Sequence, residues 1–202
     1  MYTVYDFDGS GNGYKVWLLL HFLGEKYERV RVNVLKGETH SDDFLKINPV
    51  GKIPALVLED GRALPESNAI MHYLAEGTPW LPDDRFAHAQ VLSWTYFEQY
   101  SHEPNIAVLR FWRHFLEMTP ELEAQAPEKE KKSHAALAVM EKQLAYTDWL
   151  VGNGPTIADI ALYAYTHVAD EGGISLADYP GINRWLDRFA SLPNYVPITY
   201  HD

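Results

Sequence analysis

Three short segments carry residue types that can do chemistry. GSGNGYK, residues 9–15, follows a strand-like run and opens a helix-like one. A helix start has amide N–H groups outside the ladder and the positive end of the helix dipole, and both suit an anion. Ser10 and Asn12 add a hydroxyl and an amide that can donate to a bound anionic sulfur. NPVGKIPALV, residues 48–57, sets Ile53–Pro54 directly before a strand-like run. Proline brings no N–H to a ladder, which suits that place. A cis bond there would open the Ile53 main chain to a peptide ligand. PESNAIMHYL, residues 65–74, puts Glu66 and Ser67 at a helix start. Ser67 is the expected N-cap. If the first amides stay open instead, they suit a carboxylate, and Glu66 suits an ammonium. Taken singly, the three segments are better read as a turn, a strand start and a cap.

Composition removes other chemistries. There is no cysteine, so disulfides, thiolate metal sites and a cysteine nucleophile are excluded. The nine histidines include no HExxH spacing, so no zinc site is expected. The glycines of residues 9–13 miss the dinucleotide fingerprint: a GxGxxG begun at Gly9 meets Tyr14, and one begun at Gly11 meets Val16. Asp and Glu number 28 against 17 Lys and Arg, a net charge of −11, which disfavours nucleic acid as a partner. No run approaches the ~18 apolar residues of a membrane helix, and MYTVYDFDG does not read as a signal peptide. With 47% apolar residues the chain can build a sizeable core, and a cytoplasmic location is expected.

The elements around these segments follow from periodicity and turn chemistry. Residues 2–7 read as a strand, 14–23 as a buried helix closed by Gly24, 27–34 as a second strand and 42–47 as a short helix. Residues 55–58 and 62–64 flank Asp60–Gly61 as a hairpin, and 67–75 read as a helix. A strand–helix–strand unit followed by a hairpin predicts a small mixed sheet with helices on its faces. GTPWLPD, residues 77–83, reads as a linker. Beyond it no strand is expected. Residues 84–117 are helical with a kink or break at Pro104. Residues 128–147 form an amphipathic helix that buries Leu137, Met140 and Leu144, with the solvated run EKEKK at its start. Further helices are expected over 156–169, opened by a Thr156–Asp159 capping box, and over 181–191.

In order and spacing, Ser10-Gly11-Asn12, Gly51-Lys52-Ile53-Pro54 and Glu66-Ser67-Asn68-Ala69-Ile70 together resemble the glutathione-binding pattern of the cytosolic glutathione transferases. GNGPTIADIALYAY, residues 152–165, is similar to that family's capping-box motif. YPGINRWLDRFASLPNY, residues 179–195, is similar to its C-terminal helix. The resemblance covers nearly the whole chain. It implies an α/β plus all-α architecture: a thioredoxin-like, glutathione-binding domain over 1–76, the linker 77–83, and an all-helical domain over 84–202. It also implies a homodimer, glutathione as co-substrate, and no metal.

The resemblance assigns roles residue by residue. Pro54 would be cis, and the Ile53 main chain would pair with the cysteinyl part of glutathione. Glu66 and Ser67 would hold the γ-glutamyl end. Lys52, with Lys36 or His40, would meet the glycyl carboxylate. Ser10 is the first choice as donor to sulfur, Asn12 the second and Tyr5 the third. Glu98 and Gln99 would reach the glutathione amine of a neighbouring subunit. Arg110, Trp112 and Phe115 would line the pocket of an apolar electrophile.

The implied activity is conjugation of the glutathione thiolate to a small hydrophobic electrophile. A glutathione-dependent disulfide reductase, in which glutathione supplies both sulfurs, is the alternative, beside a non-enzymatic glutathione-fold binding protein and a glutathione-dependent isomerase or dehalogenase. The lack of cysteine excludes the family's cysteine-type chemistry.

Overall fold

A computed structural model describes residues 1–200 of the chain. The chain divides into two compact units, Met1–Thr78 together with Pro193–Asp202, and Pro79–Leu192. The sequence places residues 193–200 with the helical domain, but they group with the first unit. Tyr14 donates its hydroxyl proton to the Val196 carbonyl at 2.7 Å, and Arg29 donates to the Tyr200 carbonyl at 3.3 Å.

The first unit is a four-stranded mixed sheet in the order β2-β1-β3-β4, with β1 Tyr2–Asp6, β2 Tyr27–Arg31, β3 Ala55–Val57 and β4 Ala63–Pro65. β1 and β2 are parallel, so a crossover helix must join them. That helix is α1, Gly11–Leu23, and its consecutive buried residues Tyr14 to Leu20 explain why its sequence shows no polar face. Gly24 ends it in the left-handed conformation at φ 69°. β2 stops at Arg31, earlier than its alternating pattern predicts. Asn33 caps a 3-10 turn, Val34–Lys36, and turns the chain out of the sheet. α2, Asp42–Ile47, leads to β3, which pairs antiparallel with both β1 and β4. α3, Ser67–Ala75, packs its buried Ile70, Met71 and Leu74 side alongside α1.

The second unit is helical: α4 Arg85–Phe97, α5 Glu103–Arg110, α6 Pro120–Leu144, α7 Ile157–Thr166 and α8 Pro180–Ala190. Pro104 does not break the chain's helical course. A π turn, Glu98–His102, precedes it and places the proline in the first turn of α5, where its missing N–H costs no bond. A second π turn, Phe111–Phe115, follows α5. α6 starts at Pro120, capped by Thr119, well before the expected residue 128, and runs through Pro127. The EKEKK run is only partly solvated: Lys129 donates to the Pro104 carbonyl at 2.6 Å, and Glu130 accepts from Arg113 at 2.6 Å.

α7 is buried along its whole length. It ends at Thr166, short of the expected residue 169, and a 3-10 turn, Ala169–Gly172, follows. The predicted capping box forms at its start, where Thr156 donates its N–H to the Asp159 carboxylate at 2.9 Å. The other Asp159 oxygen accepts from Leu150 N and from Trp185 Nε1 in α8, so one buried carboxylate joins three segments. Among the described residues, no helix is long and apolar enough to cross a membrane.

Candidate active site

Two helix N-termini meet in the first unit. α1 begins at Gly11, and its N-cap Ser10 accepts from Gly13 N at 3.2 Å. The hydroxyl oxygen is used as the cap, while its own proton can still be donated outward. Asn12, one turn position on, is half-buried. Its Oδ1 accepts from Lys15 Nζ at 2.7 Å and from Ser67 Oγ at 3.4 Å. Ser67 opens α3, so these contacts join the starts of α1 and α3.

α3 differs from expectation in a way that matters for binding. Ser67 is not the N-cap but the first helical residue, and it is buried. The cap is Glu66, whose side chain makes no capping bond. Glu66 sits at φ 70°, a region that a non-glycine residue enters at a cost of about 1–3 kcal/mol. No side chain therefore closes the first turn of α3, and the exposed Glu66 carboxylate stands beside it. Such a start suits a carboxylate and a neighbouring ammonium together.

Lys15 was missed in the sequence. It is 0% exposed, and its ammonium lies between Asn12 and Ser67. The readable signal was a lysine inside the apolar run YKVWLLL, where every neighbour is core. A buried lysine thus stands beside two helix N-termini within a chain of net charge −11.

The loop before β3 completes the arrangement. The Ile53–Pro54 peptide bond is cis, as the resemblance implies. Asn48, also missed in the sequence, is buried and pins this loop: its Nδ2 donates to the Lys52 carbonyl at 2.6 Å, and its Oδ1 accepts from Val50 N at 3.1 Å. Lys52 itself is exposed. His40 lies against the same loop, since a Cβ on Gly51 would stand 3.1 Å from its Nε2, while its Nδ1 lies 3.1 Å from Thr39 Oγ1. Lys36 is exposed in its 3-10 turn. Tyr5, the third sulfur candidate, lies within β1, and its ring packs edge-on against Phe44 of α2 at 6.1 Å.

The candidates in the second unit fare differently. Glu98 is 0% exposed inside its π turn, so its carboxylate does not face solvent, whereas Gln99 is exposed. Arg110 is 3% exposed and donates from Nε to Glu171 at 2.6 Å, with its guanidinium over the Phe115 ring at 5.3 Å. Arg110 is therefore committed to an internal ion pair. Trp112 and Phe115 lie half-buried in the second π turn. Among the described residues, no group of three or more His, Asp or Glu side chains could hold a metal ion.

Comparison with known proteins decides the family. The model of the glutathione S-transferase N-terminal domain matches residues 9–76, and that of the C-terminal domain matches residues 100–193. The chain belongs to the glutathione S-transferase family. The crystal structure of a glutathione S-transferase from Pseudomonas fluorescens Pf-5 is 51% identical, with a TM-score of 0.96, covering 98% of each chain. The disulfide-bond oxidoreductase YfcG of Escherichia coli K12 is 31% identical over 93% of this chain and 89% of its own. The Ure2 protein of Eremothecium gossypii is 27% identical over 96% of this chain, which spans 66% of that relative's length. A structure of Ure2p in complex with glutathione is 27% identical with a TM-score of 0.87, covering 96% of this chain and 95% of that one. The family accounts for both parts of the α/β plus all-α architecture, the thioredoxin-like sheet and the helical domain.

Proposed function

We propose that this family member binds glutathione in its first unit, ionises the thiol at the start of α1, and transfers the thiolate to a small hydrophobic electrophile. The observation that carries the reading is the meeting of the α1 and α3 N-termini around Asn12, Lys15 and Ser67. A thiol with a pKa near ~8.5 is only a few per cent ionised at pH 7. Lowering it by about two units needs roughly 2.7 kcal/mol of preference for the anion. Hydrogen bonds from Ser10 and Asn12 together with a helix N-terminus are of that size.

In this reading the γ-glutamyl carboxylate takes the open amides at the start of α3, the Ser67 N–H among them, and its ammonium meets Glu66. The Ile53 main chain pairs with the cysteinyl part, and Lys52 and His40 face the glycyl carboxylate. The thiol proton passes to solvent. The thiolate pair then forms the new S–C bond as the leaving group departs with its own pair. Gln99, exposed where Glu98 is buried, is the side chain able to reach a neighbouring subunit's ligand. Homodimer formation is supported by the exposed aromatics Phe86, Tyr96 and Tyr100. A cytoplasmic location and a detoxifying role rest on the family alone.

A second reading is favoured by one relative. The 31% identity to a disulfide-bond oxidoreductase covers most of both chains, and this chain has no cysteine to share in exchange. Two glutathiones would then serve. The first thiolate attacks a disulfide sulfur and releases one thiol, and the second attacks the mixed disulfide to give oxidised glutathione and the other thiol.

The test is the ultraviolet thiolate absorbance of bound glutathione against pH, with turnover of an aryl halide and of a small disulfide measured in parallel. A thiol pKa well below ~8.5 with aryl halide turnover supports the transferase. Turnover of the disulfide alone moves the assignment to the reductase. A bound thiol that titrates as it does in water overturns thiol activation.

A further inference from the structure

Lys15 makes a specific contact with the Asn12 side chain. It lies three residues after Asn12 on α1, so the two share a helix face, and its stem runs back over the preceding turn. Its Nζ stands 2.7 Å from the Asn12 side chain and 3.5 Å from Ser67 Oγ. An ammonium carries three donors and no acceptor, so the Asn12 atom that faces it must be the amide oxygen. Ser67 Oγ donates to that same oxygen at 3.4 Å. An amide held by its oxygen turns its NH₂ end the other way. Without these donors, half a turn of the side chain would exchange the two ends, and the carbonyl would face whatever anion lies at the helix start.

We infer that Lys15 is a positioning residue for the sulfur site: it holds the Asn12 amide so that an N–H, and not a carbonyl, faces the thiolate. The inference rests on the proposed glutathione reading for its consequence, but the orientation itself does not depend on glutathione. Lys15 acts here through Asn12, not as a charge reaching the sulfur directly. The arrangement has a cost, because a buried ammonium beside the positive end of a helix is opposed by both desolvation and the dipole. A methionine would span much of the same apolar channel without that cost, but it offers no donor to Asn12.

The experiment uses the full chain with Lys15→Met and Lys15→Gln, each made in the native background and with Asn12→Ala. Lys15→Met is expected to raise the pKa of bound glutathione by about one unit, a tenfold loss of thiolate well below that pKa. Lys15→Gln, which keeps a donor without the charge, should recover at least half of that shift. In the Asn12→Ala background neither change should move the pKa further. An equal shift in both backgrounds, or a Gln variant as impaired as the Met variant, overturns the inference in favour of direct charge stabilisation. Circular dichroism melts identify any variant that fails to fold, and the Gln variant then carries the comparison. A glutathione-free readout separates this inference from the proposed function. The Asn12 side-chain NH₂ resonances should move in Lys15→Met and hold in Lys15→Gln, and resonances unmoved in both overturn it. If native protein leaves the bound thiol at its solution pKa, the proposed function falls, and the resonances still decide whether Lys15 orients Asn12.

Discussion

The Asp6 carboxylate occupies the space in which a side chain at Gly13 would begin. A Cβ built on Gly13 would stand 1.6 Å from Asp6 Oδ1. The last residue of β1 thus presses against the first turn of α1, and the turn that carries Ser10 and Asn12 is seated on a buried acid. Asp6 is itself held by Arg29 at 3.3 Å. Gly13→Ala is therefore expected to cost about 3 kcal/mol or more in urea unfolding, because neither the strand backbone nor the paired carboxylate can give way cheaply. Asp6→Ala removes the obstacle, so the two changes together should cost clearly less than the sum of the single costs.

Ser10→Ala and Asn12→Ala separate the cap from the sulfur contact. Both should raise the bound thiol pKa, and Asn12→Ala should lower kcat/KM for an aryl halide by about 10- to 100-fold, the range for loss of one or two charge-assisted bonds. Ser10→Ala should also cost roughly 1 kcal/mol of stability through its bond to Gly13 N. A stability loss with no change in thiol pKa would leave Ser10 as a cap alone.

Glu66 holds a left-handed conformation at φ 70° that no capping bond repays. Glu66→Gly should therefore raise stability by about 1 kcal/mol while, on the proposed reading, weakening glutathione binding at least tenfold through loss of the carboxylate assigned to the ligand ammonium. Thermal melts with and without glutathione check both halves. A Gly variant that is more stable and binds as well as native protein would remove Glu66 from the site.

Asp159 accepts from Leu150 N, Thr156 N, Thr156 Oγ1 and Trp185 Nε1. Asp159→Ala leaves these buried donors without their acceptor and should cost about 3–5 kcal/mol in urea unfolding of the whole chain. A loss under 1 kcal/mol would show that the capping box adds little to the helical unit.

His167 gives a pH dependence of known sign. Burial drives its pKa down from 6.5 to about 4, and its Nδ1, 2.7 Å from the Tyr163 carbonyl, is the protonated ring nitrogen. A depressed pKa means that the neutral form is favoured in the fold. Its contribution is full above pH 6.5 and is lost as the pH falls through about 4, amounting to about 3 kcal/mol. Asp6 and Asp159 act in the opposite sense. Burial raises them to about 7 and about 6, so their contribution is full below pH 3.8 and declines as the pH rises through those values. The measurement is thus a difference: between pH 7 and pH 4, His167→Gln should lose less stability than native protein. An equal loss in both would exclude His167 as the acid-sensitive group.

The succession of elements in the first unit was legible because local rules decide it. Gly24 ends α1, Asp60–Gly61 turns the hairpin, and the apolar run of residues 14–23 is long enough to read as a buried helix. The three candidate segments were legible as boundaries as well, since each sits at a strand or helix start that its own residues mark. What sequence could not decide depends on groups far apart in the chain. The order β2-β1-β3-β4, the return of the tail to Tyr14 and Arg29, and the burial of Glu98 and Arg110 are each set by packing against distant partners. Lys15 is the sharpest case. Its type predicts exposure, yet it is buried, with its ammonium between Asn12 three residues back and Ser67, 52 residues away. Local propensity depends on neighbours along the chain. A buried polar contact depends on which surfaces exclude water together, and that is settled only once the chain has folded.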